Sequence, residues 1–153
     1  MSKILNYFFN PLSSDENKKY SEMNNELGIA TAALFLEAAY ADENFSDEEK
    51  SLIIKMISQQ FKLDENETNE ILKLAEDKIK KSISFYEFTS ILNRELTKEQ
   101  KFEILKNIWR LLFSDKILSS HEEYFIRTIA RNLRLEHKDF IAAKLEVKKE
   151  LNL

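Results

Sequence analysis

The chain contains no cysteine, a single glycine and a single proline. Without cysteine there is no disulfide framework, no thiol nucleophile and no cysteine-based metal site. That usage suits a reducing compartment, and a cytoplasmic location is expected. Glycine and proline supply most tight turns, so a sheet-rich fold is disfavoured and an all-α fold with short polar connections is expected. With Gly28 the only glycine, no phosphate-binding loop can be built. Gly28 falls near the start of a long helical pattern, where it is expected to mark a close contact between helices. No apolar run approaches the ~20 residues that a membrane-spanning helix needs. The only histidines are His121 and His137. His121-Glu122-Glu123 opens like a zinc-protease helix, but Phe125 stands where the second histidine would be, so a closed zinc site is not expected. No nucleophile-turn motif is present, so no catalytic residue is assigned and an enzyme is not expected.

What the chain does have is charge and apolar periodicity. Charged residues make up 33% and hydrophobic residues 43%, a balance that suits amphipathic helices and opposes disorder. At 153 residues, one helical domain is expected over 25–153. Residues 1–24 are read as a short apolar helix (MSKILNYFFNPL) followed by a polar lead-in, PLSSDENKKYSEMN. Peripheral membrane contact through residues 1–12 is disfavoured, because a single lysine gives that stretch no basic face. The net charge of −4 divides unevenly: 1–76 holds fifteen acidic and seven basic residues, a net of −8, and 77–153 holds twelve and sixteen, a net of +4. A mildly acidic chain disfavours nucleic acid as partner. Its basic second half leaves room for a protein contact or for self-association between opposite faces.

Helix starts recur with unusual regularity. The capping box pairs Ser, Thr or Asp with Glu or Gln three residues on, and each side chain accepts from an orphan backbone N–H of the other residue. It is spelled at Ser46/Glu49, Asp64/Glu67, Ser84/Glu87, Thr97/Gln100 and Ser119/Glu122. Two further helices are expected, from about Asn25 to Tyr40 and from about His137 to Lys149, giving a bundle of about seven. Ala32, Phe35, Leu36, Ala39 and Tyr40 follow the spacing of one helical face, as do Leu105, Ile108, Trp109, Leu112 and Phe113. Phe85, Tyr86, Phe88 and Trp109 are expected in the core, with partial exposure of Tyr86 the sign that would point to a protein contact.

One segment is written twice. At an offset of 73, Asp42, Ser46, Glu49 and Ile53 match Asp115, Ser119, Glu122 and Ile126. Each copy reads as a long helix, a short Asp-bearing turn and a second, serine-capped helix, an internal pseudo-two-fold hairpin repeat. The turns are also the strongest candidate site. Asp42, Glu43, Asp47 and Glu49, with Asp115 and Glu122, offer the carboxylate oxygens that hard cations such as Ca²⁺ or Mg²⁺ require. The same residues serve as helix-start chemistry without any metal: Ser46 and Glu49 close a box, and Asp47 and Glu48 complement the helix dipole. A standard EF-hand is rejected, because Asp47 stands at the glycine position of such a loop and Ile53 at its bidentate glutamate.

LEAAYADENFSDEEKSLI (36–53), SFYEFTSILNREL (84–96), the turn at 113–122 and DFIAAKLEV (139–147) resemble the TerB-like family of tellurite-resistance-associated proteins, over about residues 27–149. The resemblance is to its stand-alone branch. It implies a compact all-helical domain, a link to tellurite and general stress responses, and an acidic cluster that binds a divalent cation. Related domains are fused to other modules, including membrane-linked J-domain co-chaperones, which implies scaffolding or sensing. The family commonly has glycine after the turn aspartate, where Glu43 and Lys116 stand here. The resulting expectation is a non-enzymatic, stress-response interaction or scaffold module with a protein partner. A divalent-cation sensor acting through the acidic turns is the alternative.

Overall fold

The computed structural model describes residues 14–41, 45–82, 84–115 and 118–153, with side chains from 25 onward and without that of Asp115. Among the described residues there are seven α-helices and no strand: α1 (Ser14–Tyr40), α2 (Asp47–Phe61), α3 (Glu65–Lys81), α4 (Tyr86–Glu95), α5 (Lys98–Leu112), α6 (Ser120–Asn132) and α7 (His137–Glu150). A single 3₁₀ turn, Phe113–Asp115, follows α5.

The capping grammar sets most of these starts. The Asp64 side chain accepts from Glu67 N at 2.8 Å while Asp64 N donates to Glu67 Oε1 at 3.0 Å. Thr97/Gln100 and Ser119/Glu122 close the same reciprocal box. Ser46 Oγ accepts from Glu49 N at 3.1 Å. Ser84/Glu87 does not form the expected box. The helix starts later, at Tyr86, and Glu87 accepts from Ser82 Oγ at 2.9 Å instead.

α1 is the axis of the molecule. Leu27, Gly28, every residue from Ala30 to Leu36, Ala38 and Ala39 are buried. Periodicity predicts one apolar face here, but between Leu27 and Ala39 the helix is buried nearly all round, with only Ile29 and Glu37 part-exposed. α2, α3, α4, α5 and α6 all pack against it. Tyr40, placed on the buried face by periodicity, is exposed at the helix end. The helix also begins at Ser14 rather than near Asn25, because the polar lead-in contains good helix formers and no breaker after Pro11. Gly28 marks no forced contact: a Cβ added there would sit 3.8 Å from Ile71 Cδ1, an ordinary van der Waals distance.

α7 closes the outside of α5. The two helices run parallel, because Lys98 pairs with Asp139, Lys106 with Glu146 and Arg110 with Glu150 in ascending order. Trp109, fully buried, lies between Phe113 and Phe140, each with its ring centroid 5.2 Å away. α4 and α6 are also parallel. Phe85 meets Phe125 edge-to-face at one level, and Asn93 Nδ2 donates to the Asn132 carbonyl at the next.

Candidate functional site

The acidic turns divide between described and undescribed residues. Asp42, Glu43 and Lys116 lie outside the described residues, and so does the side chain of Asp115. The start of α2 is described: Asp47 and Glu48 are exposed, while Glu49 is only 6% exposed. At the start of α6, Glu122 is 4% exposed, and its Oε1 accepts from Ser119 N at 3.1 Å. The Phe45 ring packs on that of Tyr40, with centroids 5.3 Å apart. Capping accounts for Ser46, Ser119 and Glu122 directly.

Helix directions bring the starts of α2 and α6 toward one end. Arg94 ion-pairs with Glu26 near the N-terminal limit of the buried part of α1. Asn93, one residue earlier on α4, holds the C-terminus of α6 through Asn132. α6 therefore starts at the end of the bundle where α1 finishes. Within this end, no three Asp, Glu or His side chains converge among the described residues. Asp47, Glu49 and Glu122 alone do not make a cation's donor set. Any such set needs Asp42, Glu43 or Asp115 to complete it.

Three features escaped the sequence reading. Beside the first turn, Glu37 is half-buried and burial raises its pKa. The Tyr40 hydroxyl is likewise raised, first by burial, then by the charges of Glu76 and Glu37 and a hydrogen bond with Glu76. At the opposite end, Lys101 is 9% exposed and forms no ion pair among the described residues; burial lowers its pKa, and the Arg134 cation lowers it further. A lysine on the buried face of α5, four residues before Leu105, was the available signal.

The third feature is a pair of tyrosines. Tyr86 is 63% exposed and Tyr124 69% exposed, which removes Tyr86 from the expected core. Phe85 packs against the core, and Phe88 and Trp109 lie within it. Helical spacing carried the distinction. Phe85, Phe88, Thr89 and Leu92 share one face of α4, and Tyr86 falls beside it. Tyr124 stands off the Phe125, Ile126, Ile129 face of α6 in the same way. The contact of Phe85 with Phe125, centroids 5.5 Å apart, sets the two tyrosine-bearing turns side by side.

No helix among the described residues is long and apolar enough to cross a membrane. Neither the curated proteins nor the solved structures gave a match. The family model described as tellurite resistance protein TerB matches residues 28–145, which takes in the buried part of α1, both serine-capped turns, the tyrosine-bearing helices and most of α7. With most of its length so matched and an all-helical bundle as its fold, the chain belongs to the TerB family of tellurite resistance proteins.

Proposed function

We propose that the protein is a non-enzymatic interaction module of the cytoplasmic stress response, and that it works by presenting the α4–α6 surface to a protein partner. The observation that carries this reading is the adjacent placement of Tyr86 and Tyr124, both largely exposed. Tyrosine supplies a large, stiff contact area with a polar tip, and it concentrates at the centres of protein interfaces. Exposed Arg131 and His121 share the surface of α6 with Tyr124. A tagged wild-type protein and a Tyr86→Ala/Tyr124→Ala variant, applied side by side to native cell extract, test the reading. Wild type is expected to recover a protein that the variant loses. Equal recovery by both would overturn it.

A divalent-cation sensor is the second reading. It is favoured by the burial of Glu49 and Glu122, the third residues of α2 and α6, whose starts lie at one end of the bundle. A cation there would neutralise the turns and lock the two hairpins together. Titration calorimetry with Ca²⁺, Mg²⁺, Mn²⁺ and Zn²⁺, on wild type and on Asp42→Asn/Asp115→Asn, decides this point. No heat and no change in Tm at millimolar metal would sink the sensor.

A further inference from the structure

α3 has unlike ends. Asp64, Glu65, Glu67 and Glu70 are exposed at its start, and Lys78, Lys80 and Lys81 are exposed at its finish. None of the three lysines forms an ion pair among the described residues. The helix has 17 residues and so is about 25 Å long. At that separation the two charge groups hardly interact within one molecule, since the Debye length is about 8 Å at physiological salt.

The basic end adjoins the tyrosine surface. Ser82, directly after α3, donates to Glu87 of α4 at 2.9 Å, which fixes Lys81 beside the Tyr86 turn. Tyr86 and Tyr124 are the two most exposed large apolar side chains among the described residues. Of the acids near them, Glu123 pairs with Arg127 at 3.0 Å, Glu87 accepts from the neutral Ser82 hydroxyl and keeps its charge, and Asp77 is exposed on α3 directly before Lys78. The surface combines two aromatic anchors with three exposed lysines that form no ion pair among the described residues, and it offers contacts to an acidic helical ridge. The exposed start of α3 is such a ridge, and every copy of the chain carries one.

We infer that the protein self-associates head to tail, with the acidic start of α3 from one copy docking on the Tyr86–Tyr124 surface and the Lys78–Lys81 end of the next. This inference rests on the interaction-module reading and names a second copy as the partner. The contact joins two different patches, so it closes into a ring or extends as a chain instead of stopping at a symmetric dimer. Charge sets the register, and the tyrosines are the buried anchors.

Sedimentation velocity on the purified full chain tests it, from low micromolar to near-millimolar protein at low and high salt. Wild type is expected to associate at low salt and to dissociate as salt rises. Tyr86→Ala/Tyr124→Ala is expected to weaken association about tenfold or more while keeping its helical circular dichroism. Glu65→Lys/Glu70→Lys and Lys80→Glu/Lys81→Glu are each expected to be monomeric alone and to associate when mixed, because each restores the other's missing charge. A wild type that stays monomeric throughout overturns self-association. So does association that the tyrosine variant leaves unchanged, or charge variants that fail to rescue one another. A monomeric wild type that still captures a Tyr86-dependent partner from extract would leave the interaction-module reading standing and remove only the second copy as its occupant.

Discussion

Arg134 and Lys62 occupy left-handed backbone, with φ of 61° and 50°. Each lies just past the end of a helix, α6 or α2, where glycine is the usual residue. Each puts a cationic residue at the negative end of a helix dipole, which offsets part of the conformational cost. Replacing Arg134 by Val removes that charge and adds a β-branched side chain at positive φ; stability is expected to fall by about 2 kcal/mol in urea unfolding. Arg134→Gly should change it far less, because what is lost at the dipole is regained in the backbone. Lys101 is a separate case. Its folded pKa is lowered from 10.5, first by burial and then by Arg134. The penalty is fully present at neutral pH and fades as pH rises through the lowered value toward 10.5, so stability should climb in that alkaline window. Lys101→Met is expected to raise stability at neutral pH by roughly 1 kcal/mol and to flatten the alkaline rise. Glu37 has the opposite sign of shift, since burial raises its pKa above 4.5. Its favourable contribution is present below 4.5 and lost as pH rises through the raised value, so Glu37→Gln should selectively stabilise the protein at neutral pH.

Helix boundaries were legible in the sequence wherever the start was written locally. Asp64, Thr97 and Ser119 spell a box and form one, and α7 begins at His137 as its spacing predicts. Ser84/Glu87 spells the same box without forming it: the helix starts one residue late, with Phe85 at the cap, and Glu87 accepts from the Ser82 hydroxyl instead of the Ser84 backbone N–H. A four-residue motif does not encode that competition. Thr97→Ala and Ser119→Ala are each expected to cost about 1 kcal/mol. Ser84→Ala should stay within about 0.5 kcal/mol of wild type, and equal losses at all three positions would show that Ser84 caps after all. Gly28→Ala tests the interior of α1. The added methyl meets Ile71 at 3.8 Å without clash, so helix propensity dominates and a gain of about 0.5–1 kcal/mol is expected in thermal melts.

For the whole molecule, the all-α class followed from the scarcity of glycine and proline and from the apolar spacing. The number of helices followed from the caps and that same spacing. What covers each helix did not follow. Periodicity assigns a residue to a face, and it cannot say how many neighbours crowd round the helix. Ala33 and Ala38 fall off the face that Ala32, Phe35, Leu36 and Ala39 share, yet all four alanines are buried because small side chains let several helices approach one axis. The candidate site was half legible for a related reason. Capping explains the serines and glutamates of the turns by local rules, while the exposure of Tyr86 and Tyr124 depends on where α4 and α6 dock. Ala33→Leu should therefore be costly, about 1–3 kcal/mol from overpacking, although the same exchange on an exposed helix is nearly neutral.

The central position of α1 has a consequence for synthesis. Its buried stretch leaves the ribosome before any of the helices that cover it, and α5, one of its main neighbours, ends 72 residues after α1 does, at Leu112. At translation rates of about 5–20 residues per second, an apolar helix with no dry face waits several seconds for its cover. Expression yield should then depend on holdase chaperones more strongly than final stability suggests. Moving α1 behind α7 by circular permutation should weaken that dependence, because the helix would meet its neighbours already made.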